Sequence, residues 1–171
     1  MDALNAIFNR RSIRKYTNQH IDDDTVNLLI KAGMAAPTCV NSRDWHFVVI
    51  RSREHMEKIM QLKPINADML REASVAIMVC GDMSLAYSGN PDYWIQDCSA
   101  ATQNILIAAT SLGIGSVWLG VWPNEKRSQA LREYFGLAQT LVPFSIISLG
   151  YPGEQKAPKN LFDTDKIDYI D

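Results

Sequence analysis

The stretch AATQNILIAATSLG (residues 100–113) decides the fold, because it completes the longest helical pattern in the chain, Pro91 to Leu112. This pattern is polar on one face at its start and almost wholly apolar from Ile105 to Leu112. A helix that is apolar nearly all round is buried in a core. Gly113 ends the helix, and Ser116–Val121 predicts the strand that follows. The sequence therefore predicts a central helix packed against a sheet.

Strand and helix patterns alternate along the rest of the chain. Strands are predicted at Trp45–Ile50, Val75–Cys80 and Val142–Leu149, with a short one at Ile167–Ile170. Helices are predicted in the N-terminal segment, where Leu4, Ile7 and Phe8 share one face, from Asp22 to near Pro37, from Ser52 to Leu62, briefly over Asn66–Glu72, and from Asn124 to Gly136. This order predicts an α+β fold, a mixed sheet covered by helices. Since no repeat or linker interrupts it, we expect residues 1–171 to form one domain.

Composition limits the classes of function. The net charge is −2, with 47% hydrophobic and 21% charged residues, as in ordinary globular proteins. This charge gives no general attraction to nucleic acid or to an anionic membrane, so neither is expected as a partner. Three scattered cysteines suit reduced thiols, and neither an export signal nor a membrane-length apolar run is found. We therefore expect a cytoplasmic location.

Two common kinds of site are excluded by spacing. Gly113-Ile114-Gly115 follows a helix and precedes a strand, the reverse of a dinucleotide-binding turn, and Trp118 stands where a third glycine is needed. His20, His46 and His55 lie on separate predicted elements, and no metal-ligand spacing occurs. We expect no metal site.

A basic segment follows the first predicted helix. Four positive charges occur within six residues: Arg10, Arg11, Arg14 and Lys15. Guanidinium groups match phosphate oxygens in pairs of hydrogen bonds, and the hydroxyl of Ser12 adds a further donor. The segment indicates either a phosphate site or a solvated basic face, and these residues alone leave both open.

A second polar segment, residues 35–45, links a helix end to a strand. Thr38, Asn41 and Ser42 offer uncharged donors and acceptors that suit a polar heterocycle or a sugar alcohol chain. The alternative is a capping turn in which these side chains satisfy the backbone. Cys39 lacks a partner spaced to activate it as a nucleophile, so a small half-buried thiol is the favoured interpretation.

Five motifs in series extend over essentially the whole chain. They are RRSIRKY (10–16), APTCVNSRDWHF (36–47), AATQNILIAA (100–109), LGIGSVWLG (112–120) and SLGYP (148–152). In this order they resemble the nitroreductase family, which binds flavin mononucleotide (FMN). The resemblance implies a three-layer α+β fold and an interwoven homodimer with the flavin at the subunit interface.

The resemblance also implies roles for individual residues. The phosphate and ribityl chain would be held by Arg10, Ser12 and Arg14, with Arg11 close by and with Lys159 and Lys156 from the C-terminal segment. The loop that reaches the flavin from the partner subunit would contain Pro37, Thr38, Cys39 and Asn41. The isoalloxazine edge would meet Asn66, and the ring near N5 would lie against Trp118, Leu119 and Gly120.

The chain departs from the family pattern at three places. Arg43-Asp44 replaces the usual Gln-Pro before the tryptophan, and Met69 stands where a lysine is frequent. Asn160-Leu161 replaces the arginine after the C-terminal lysine. These departures leave open the substrate and the electronic tuning of the flavin.

The implied activity is that of an FMN-dependent NAD(P)H oxidoreductase. A hydride would pass from the nicotinamide to flavin N5 and on to a nitroaromatic, a quinone or a similar electron-poor acceptor, in ping-pong order. No side chain is assigned as a catalytic acid or base, since solvent can deliver the protons. The alternatives are a non-catalytic flavin carrier or redox sensor, a specialised relative such as a dehalogenase or flavin-consuming enzyme, and a module that binds another protein.

Overall fold

The computed structural model describes residues 1–63, 65–90, 92–157 and 159–170. The helices are α1 (Ala3–Asn9), α2 (Asp23–Met34), α3 (Arg53–Leu62), α4 (Tyr93–Ser111) and α5 (Glu125–Tyr134). The strands are β1 (Trp45–Ile50), β2 (Val75–Asp82), β3 (Gly115–Gly120) and β4 (Leu141–Gly150). Short 3-10 turns occupy Cys39–Asn41, Asp68–Arg71 and Thr164–Lys166. The predicted α+β class is confirmed, although Pro91, the expected start of α4, lies outside the described residues.

The four strands form one sheet in the order β1-β2-β4-β3, and each neighbouring pair is antiparallel. The expected mixed pairing is limited to an isolated parallel bridge between Ser12 and Ser116 at the edge of β3. The predicted strand at Ile167–Ile170 is wrong within this chain, because these residues are exposed and pair with no strand that the structure describes. The sheet of the described residues therefore has four strands.

Helices cover both faces of the sheet, which gives three layers. Successive residues of a strand point to opposite faces, so Ile77 packs with α2 and α4 while Met78 packs with α3 and α5. Ile105 of α4 is fully buried, as its apolar surroundings in the sequence predict. None of the helices in the described ranges is both long and apolar enough to cross a membrane.

Helix α1 presents apolar side chains to solvent. Its N-cap Asp2 accepts a hydrogen bond from the backbone N–H of Asn5, so the predicted helix forms. However, Ala6 is the buried residue of α1, while Leu4, Ile7 and Phe8 are exposed, Phe8 to 68%. The shared apolar face is thus present, and the fold of one chain leaves it uncovered.

The basic segment follows α1 along the edge of the sheet. The backbone N–H of Ile13 donates to Ser116 O (3.0 Å), and that of Thr17 donates to Tyr151 O (2.9 Å). Ile13 and Tyr16 are buried, whereas Arg14 between them is exposed. The sheet edge therefore fixes which side chains of the segment face outward.

Two glycines of the sheet make room for this segment. A Cβ on Gly115 would lie 2.8 Å from the Cγ2 atom of Ile13, and one on Gly150 would lie 2.6 Å from the ring of Tyr16. Both distances are shorter than van der Waals contact, so a side chain at either position would displace the segment. The glycines of two motifs, LGIGSVWLG and SLGYP, thus position the arginines of a third.

Candidate functional site

The basic segment and the C-terminal tail enclose a cavity of about 290 Å³, here called the basic cleft. It is lined by Arg10, Arg11, Ser12, Arg14, Lys156, Lys159 and Leu161. Six of the residues predicted to bind a cofactor, which come from opposite ends of the sequence, are therefore brought together in one place.

Arg11 joins the two walls of the cleft. Its Nε donates to Ala157 O (3.0 Å), and its Nη1 donates to Phe8 O (2.9 Å) and Arg10 O (2.8 Å). The Nε bond thus holds the tail, while the two Nη1 bonds fix the guanidinium against the end of α1 and the basic segment. Its Nη2 is buried and has no hydrogen-bond partner among the described residues.

Lys156 is held in a similar way. Its Nζ donates to Ser12 O (2.5 Å) and lies 3.2 Å from the Oε1 of Glu154. The same Oε1 accepts a hydrogen bond from the backbone N–H of Arg14 (2.6 Å). That N–H bond, assisted by Lys156, lowers the pKa of Glu154. Glu154, which the sequence analysis missed, therefore stays ionised and orders both walls of the cleft.

Three other cations of the cleft are unpaired. Within the ranges that the structure describes, the side chains of Arg10, Arg14 and Lys159 make neither a hydrogen bond nor an ion pair. They form an uncompensated positive donor set, to which the buried guanidinium nitrogen Nη2 of Arg11 adds positive charge. Such a set fits a phosphate monoester, whose oxygens accept several charge-assisted hydrogen bonds. The observed donors therefore agree with a phosphate site.

The loop Pro37–Arg43, here called the loop, is a tight turn with unusual backbone angles. Thr38 Oγ1 accepts from the backbone N–H of Arg43 (3.0 Å), so part of the capping-turn interpretation is correct. Val40, Asn41 and Arg43 have φ values of 47°, 58° and 54°. Positive φ is rare for a β-branched residue such as valine and marks local strain. Something outside the loop must hold it.

The side chain of Asp97, on α4, holds the loop through the backbone of Cys39. Both of its carboxylate oxygens accept the backbone N–H of Cys39, each at 3.0 Å. Pro37, Thr38 and Cys39 line a second cavity of about 460 Å³ together with Gln96 and Asp97. The sequence signal for Asp97 was its place on the early polar face of α4, but the contact with Cys39 spans 58 residues.

Cys39 is a half-buried thiol, as expected from the sequence. Desolvation, followed by the charges of Asp97 and Asp44, raises its pKa. A raised pKa disfavours the thiolate, which is the nucleophilic form. The surroundings of Cys39 thus agree with a structural thiol.

The third predicted group lies at Asn66 and along β3. Asn66 is exposed with φ 58°. Trp118 is half-buried against Phe144, with ring centroids 5.7 Å apart. The side chain of Leu119 is only 3% exposed, because it points into the opposite face of the sheet from Trp118. Leu119 can therefore offer a ligand only its backbone.

The end of β3 provides open space. Gly120 is exposed, and a Cβ added to it would meet no atom within 4 Å. Its carbonyl accepts a hydrogen bond from Arg127 Nη1 at 3.5 Å. Met69, which replaces a frequent lysine of the family pattern, is buried in the core and brings no charge to this region.

Comparison with known proteins gives the family. The nitroreductase family model matches residues 7–63 and 57–151, which is most of the chain. The chain belongs to the nitroreductase family. Among its relatives is a protein of Methanothermobacter thermautotrophicus, provisionally named NADH dehydrogenase/NAD(P)H nitroreductase. The two are 47% identical over 167 residues, which cover 98% of this chain and 86% of the relative.

Solved structures of other nitroreductases share the fold. An FMN-dependent nitroreductase from Clostridium difficile matches with a TM-score of 0.88 and 28% identity, covering 98% of this chain and 99% of the other. A provisionally named nitroreductase from Desulfovibrio desulfuricans, solved in complex with FMN, matches with a TM-score of 0.81 and 32% identity. That match covers 94% of this chain and 93% of the other.

In this nitroreductase the predicted site residues form separate groups. The basic cleft collects the arginines and lysines, whereas the loop lines the second cavity with α4. Among the described residues, no group of three or more His, Cys, Asp or Glu side chains is placed to hold a metal ion. In the described residues the cleft and the loop thus line two different cavities.

Proposed function

We propose that this nitroreductase forms a single FMN-binding domain and works as an FMN-dependent NAD(P)H oxidoreductase. The observation that carries the proposal is the basic cleft, with its uncompensated donors from Arg10, Arg14 and Lys159. Its free side chains and its volume suit the phosphate end of FMN.

The residues of the cleft have different tasks. Arg10, Arg14 and Lys159 would bind the phosphate directly, each charge-assisted hydrogen bond contributing about 1.5–3 kcal/mol. Arg11 and Lys156 would mainly hold the walls, because most of their donors already bond to backbone carbonyls or to Glu154. Ser12 would add a hydroxyl toward the ribityl chain.

FMN held here would supply the redox chemistry, namely hydride transfer from NADH or NADPH to a nitroaromatic, quinone or similar acceptor. The chain's part is to bind and orient the flavin and to exclude water from it. The open space at Gly120 lets a flat ring approach the backbone of β3 closely. Asn66 would bond to the ring edge, and Trp118 would shield the ring from water.

A second copy of the chain would complete the site. The apolar face of α1 is exposed, and so are the apolar residues of the tail: Leu161, Phe162, Tyr169 and Ile170. Large uncovered apolar patches mark protein interfaces. An interwoven homodimer would bury them and would bring the loop of one subunit, with Pro37, Thr38, Cys39 and Asn41, to the cleft of the other. All three cysteines are free thiols, which suits a cytoplasmic location.

The test is the absorption spectrum of the purified protein followed by a reaction with NAD(P)H. We expect a yellow protein that releases its flavin on denaturation. The flavin absorption bands of the native protein should disappear when NADH or NADPH is added and return when a quinone or a nitroaromatic is added. Protein that stays colourless after incubation with FMN would contradict the proposal. Bound FMN that NAD(P)H does not reduce would instead indicate a flavin carrier or redox sensor.

A further inference from the structure

Asp44, directly before β1, is a buried carboxyl group without an evident counter-charge. It is 0% exposed, and neither of its carboxylate oxygens has a hydrogen-bond partner among the described residues. Its backbone is fixed at the sheet, since its carbonyl accepts the N–H of Asp82 (2.6 Å). An ionised carboxylate in such a place is costly unless something neutralises it.

The group that faces Asp44 is a second carboxyl group, Asp97. Asp97 is buried as well and accepts hydrogen bonds from the backbone N–H of Cys39 and, at 3.5 Å, from the hydroxyl of Ser42. The same hydroxyl also lies beside Asp44 and acts to lower its pKa. The other titratable groups near the pair in the described ranges are the thiols of Cys39 on the loop and Cys98 on α4, the phenol of Tyr93, which lines the same cavity as Asp97, and the carboxyl group of Asp82, whose backbone bonds to Asp44. No Lys, Arg or His in the described ranges forms an ion pair with either carboxyl group. Burial, and then the charge of Asp97, raise the pKa of Asp44 to about 6.

Two neighbouring buried carboxyl groups without a cation between them cannot both ionise cheaply. A single proton shared by the pair removes the repulsion and adds a donor to that of Ser42, since a protonated Asp44 can donate to Asp97. Asp97 then keeps its acceptors on the Cys39 N–H, next to the strained Val40 and Asn41. The proton thus stabilises the contact that restrains the loop.

We propose that Asp44 and Asp97 share one proton and act together as a pH-sensitive latch that positions the loop for FMN. The proposal rests on the proposed function, in which the loop contacts the flavin. Both are positioning residues, since they act through the loop backbone.

The latch has a defined dependence on pH. At low pH the shared proton is present and the loop is held in the conformation seen here. As the pH rises through about 6 the proton is lost, the two carboxylates repel each other, and the loop loosens. In Asp44→Asn an amide donates to Asp97 at every pH, so the loop stays held throughout.

The first experiment measures the FMN dissociation constant of the wild type, Asp44→Asn and Asp97→Asn between about pH 5 and pH 8.5. Ionisation of the FMN phosphate, with a pKa of about 6, affects all proteins alike, so the ratio of wild type to variant is the readout. For Asp44→Asn we expect this ratio to rise about three- to tenfold with pH, since one pKa unit corresponds to a factor of ten. Asp97→Asn also lacks the charge repulsion. The ratio of the wild-type dissociation constant to that of Asp97→Asn should therefore also rise with pH.

The matched control is Asp24→Asn, which removes one exposed carboxylate from α2. Its ratio to wild type should not change with pH. A pH-independent ratio for Asp44→Asn, or an equal pH trend in Asp24→Asn, would overturn the latch.

The second experiment follows hydrogen exchange at the Cys39 amide without FMN, expressed as protection relative to the unstructured rate. Protection should fall with rising pH in the wild type and stay constant in Asp44→Asn. Constant protection in the wild type would overturn the latch whether or not FMN binds. Failure of the wild type to bind FMN at any pH would instead contradict the proposed function, so the two failures are distinguishable.

Discussion

The basic cleft and the pair of carboxyl groups, Asp44 and Asp97, each bring like charges together, but the cleft is exposed to solvent and the pair is buried. In the cleft, Arg14 and Lys159 are exposed, and water screens their mutual repulsion until an anion arrives. Asp44 and Asp97 are buried, and the repulsion between them is relieved by a proton. The comparison teaches that solvated charges are available for binding a ligand, whereas buried charges mainly determine where the backbone lies.

The largest effect is expected from removing the free cations of the cleft. The double variant Arg10→Ala/Arg14→Ala should weaken FMN binding at least about a hundredfold, because it loses two charge-assisted hydrogen bonds of about 1.5–3 kcal/mol each. A fluorescence titration with FMN measures this. The control is Lys15→Ala, which removes a neighbouring charge that does not line the cleft and should change affinity by less than about threefold. If Lys15→Ala lost at least half as much FMN-binding free energy as the double variant, net charge rather than cleft geometry would account for phosphate binding.

The next effect concerns the support beneath the cleft. Gly150→Val should lower the free energy of unfolding by about 1–3 kcal/mol, because its side chain would overlap the buried ring of Tyr16. Urea unfolding followed by circular dichroism measures this, and FMN affinity should fall as the basic segment moves. Gly120→Val, where the added atoms meet open space, serves as the control and should cost less. Equal stability losses at the two positions would contradict the close approach of Tyr16 to the sheet.

A smaller effect is expected at the buried carboxylate pair, where Asp44 makes the free energy of unfolding depend on pH. The pKa of Asp44 is raised from 3.8 to about 6 in the folded protein, so between these pH values the unfolded chain loses its proton first. The wild type therefore loses stability as the pH rises from about 4 to about 6, and the loss is constant above that range. Asp44→Asn has no carboxyl group at this position and so does not lose stability in this way. It should be about 1–3 kcal/mol more stable than wild type at pH 7, and this difference should vanish near pH 4.

Urea unfolding at several pH values measures this difference. A variant that is less stable than wild type by a constant amount at every pH would show that Asp44 keeps its ordinary acidity. Glu154→Gln is a useful comparison, because the pKa of Glu154 is lowered rather than raised. Its loss of stability should therefore be present at neutral pH and disappear in acid, the opposite trend.

The sequence predicted those features that depend on local patterns. The helix around Ile105 and four of the five predicted strands were found from sequence patterns, and the cleft residues from the clustered charges and the motifs of the resembled family. Leu4 and its neighbours were correctly placed on one helical face, but periodicity could not say that this face would remain uncovered. The antiparallel order of the sheet was missed, because alternating helices and strands suit either direction of pairing.

Long-range contacts were the main omission at the site. The bond from Cys39 to Asp97 and the role of Glu154 beside Arg14 each join distant parts of the chain. No local pattern reports such pairs. The burial of Leu119 and of Asp44 depends on which way a strand faces and on what covers it, and the tertiary structure decides both.

The most direct test of the central claim compares FMN with riboflavin, which has the same ring and ribityl chain but no phosphate. If the basic cleft binds the phosphate, the wild type should bind FMN at least about a hundredfold more tightly than riboflavin. Arg10→Ala/Arg14→Ala should lose most of that preference, while its affinity for riboflavin stays near the wild-type value. Equal affinities of the wild type for the two flavins would contradict the account.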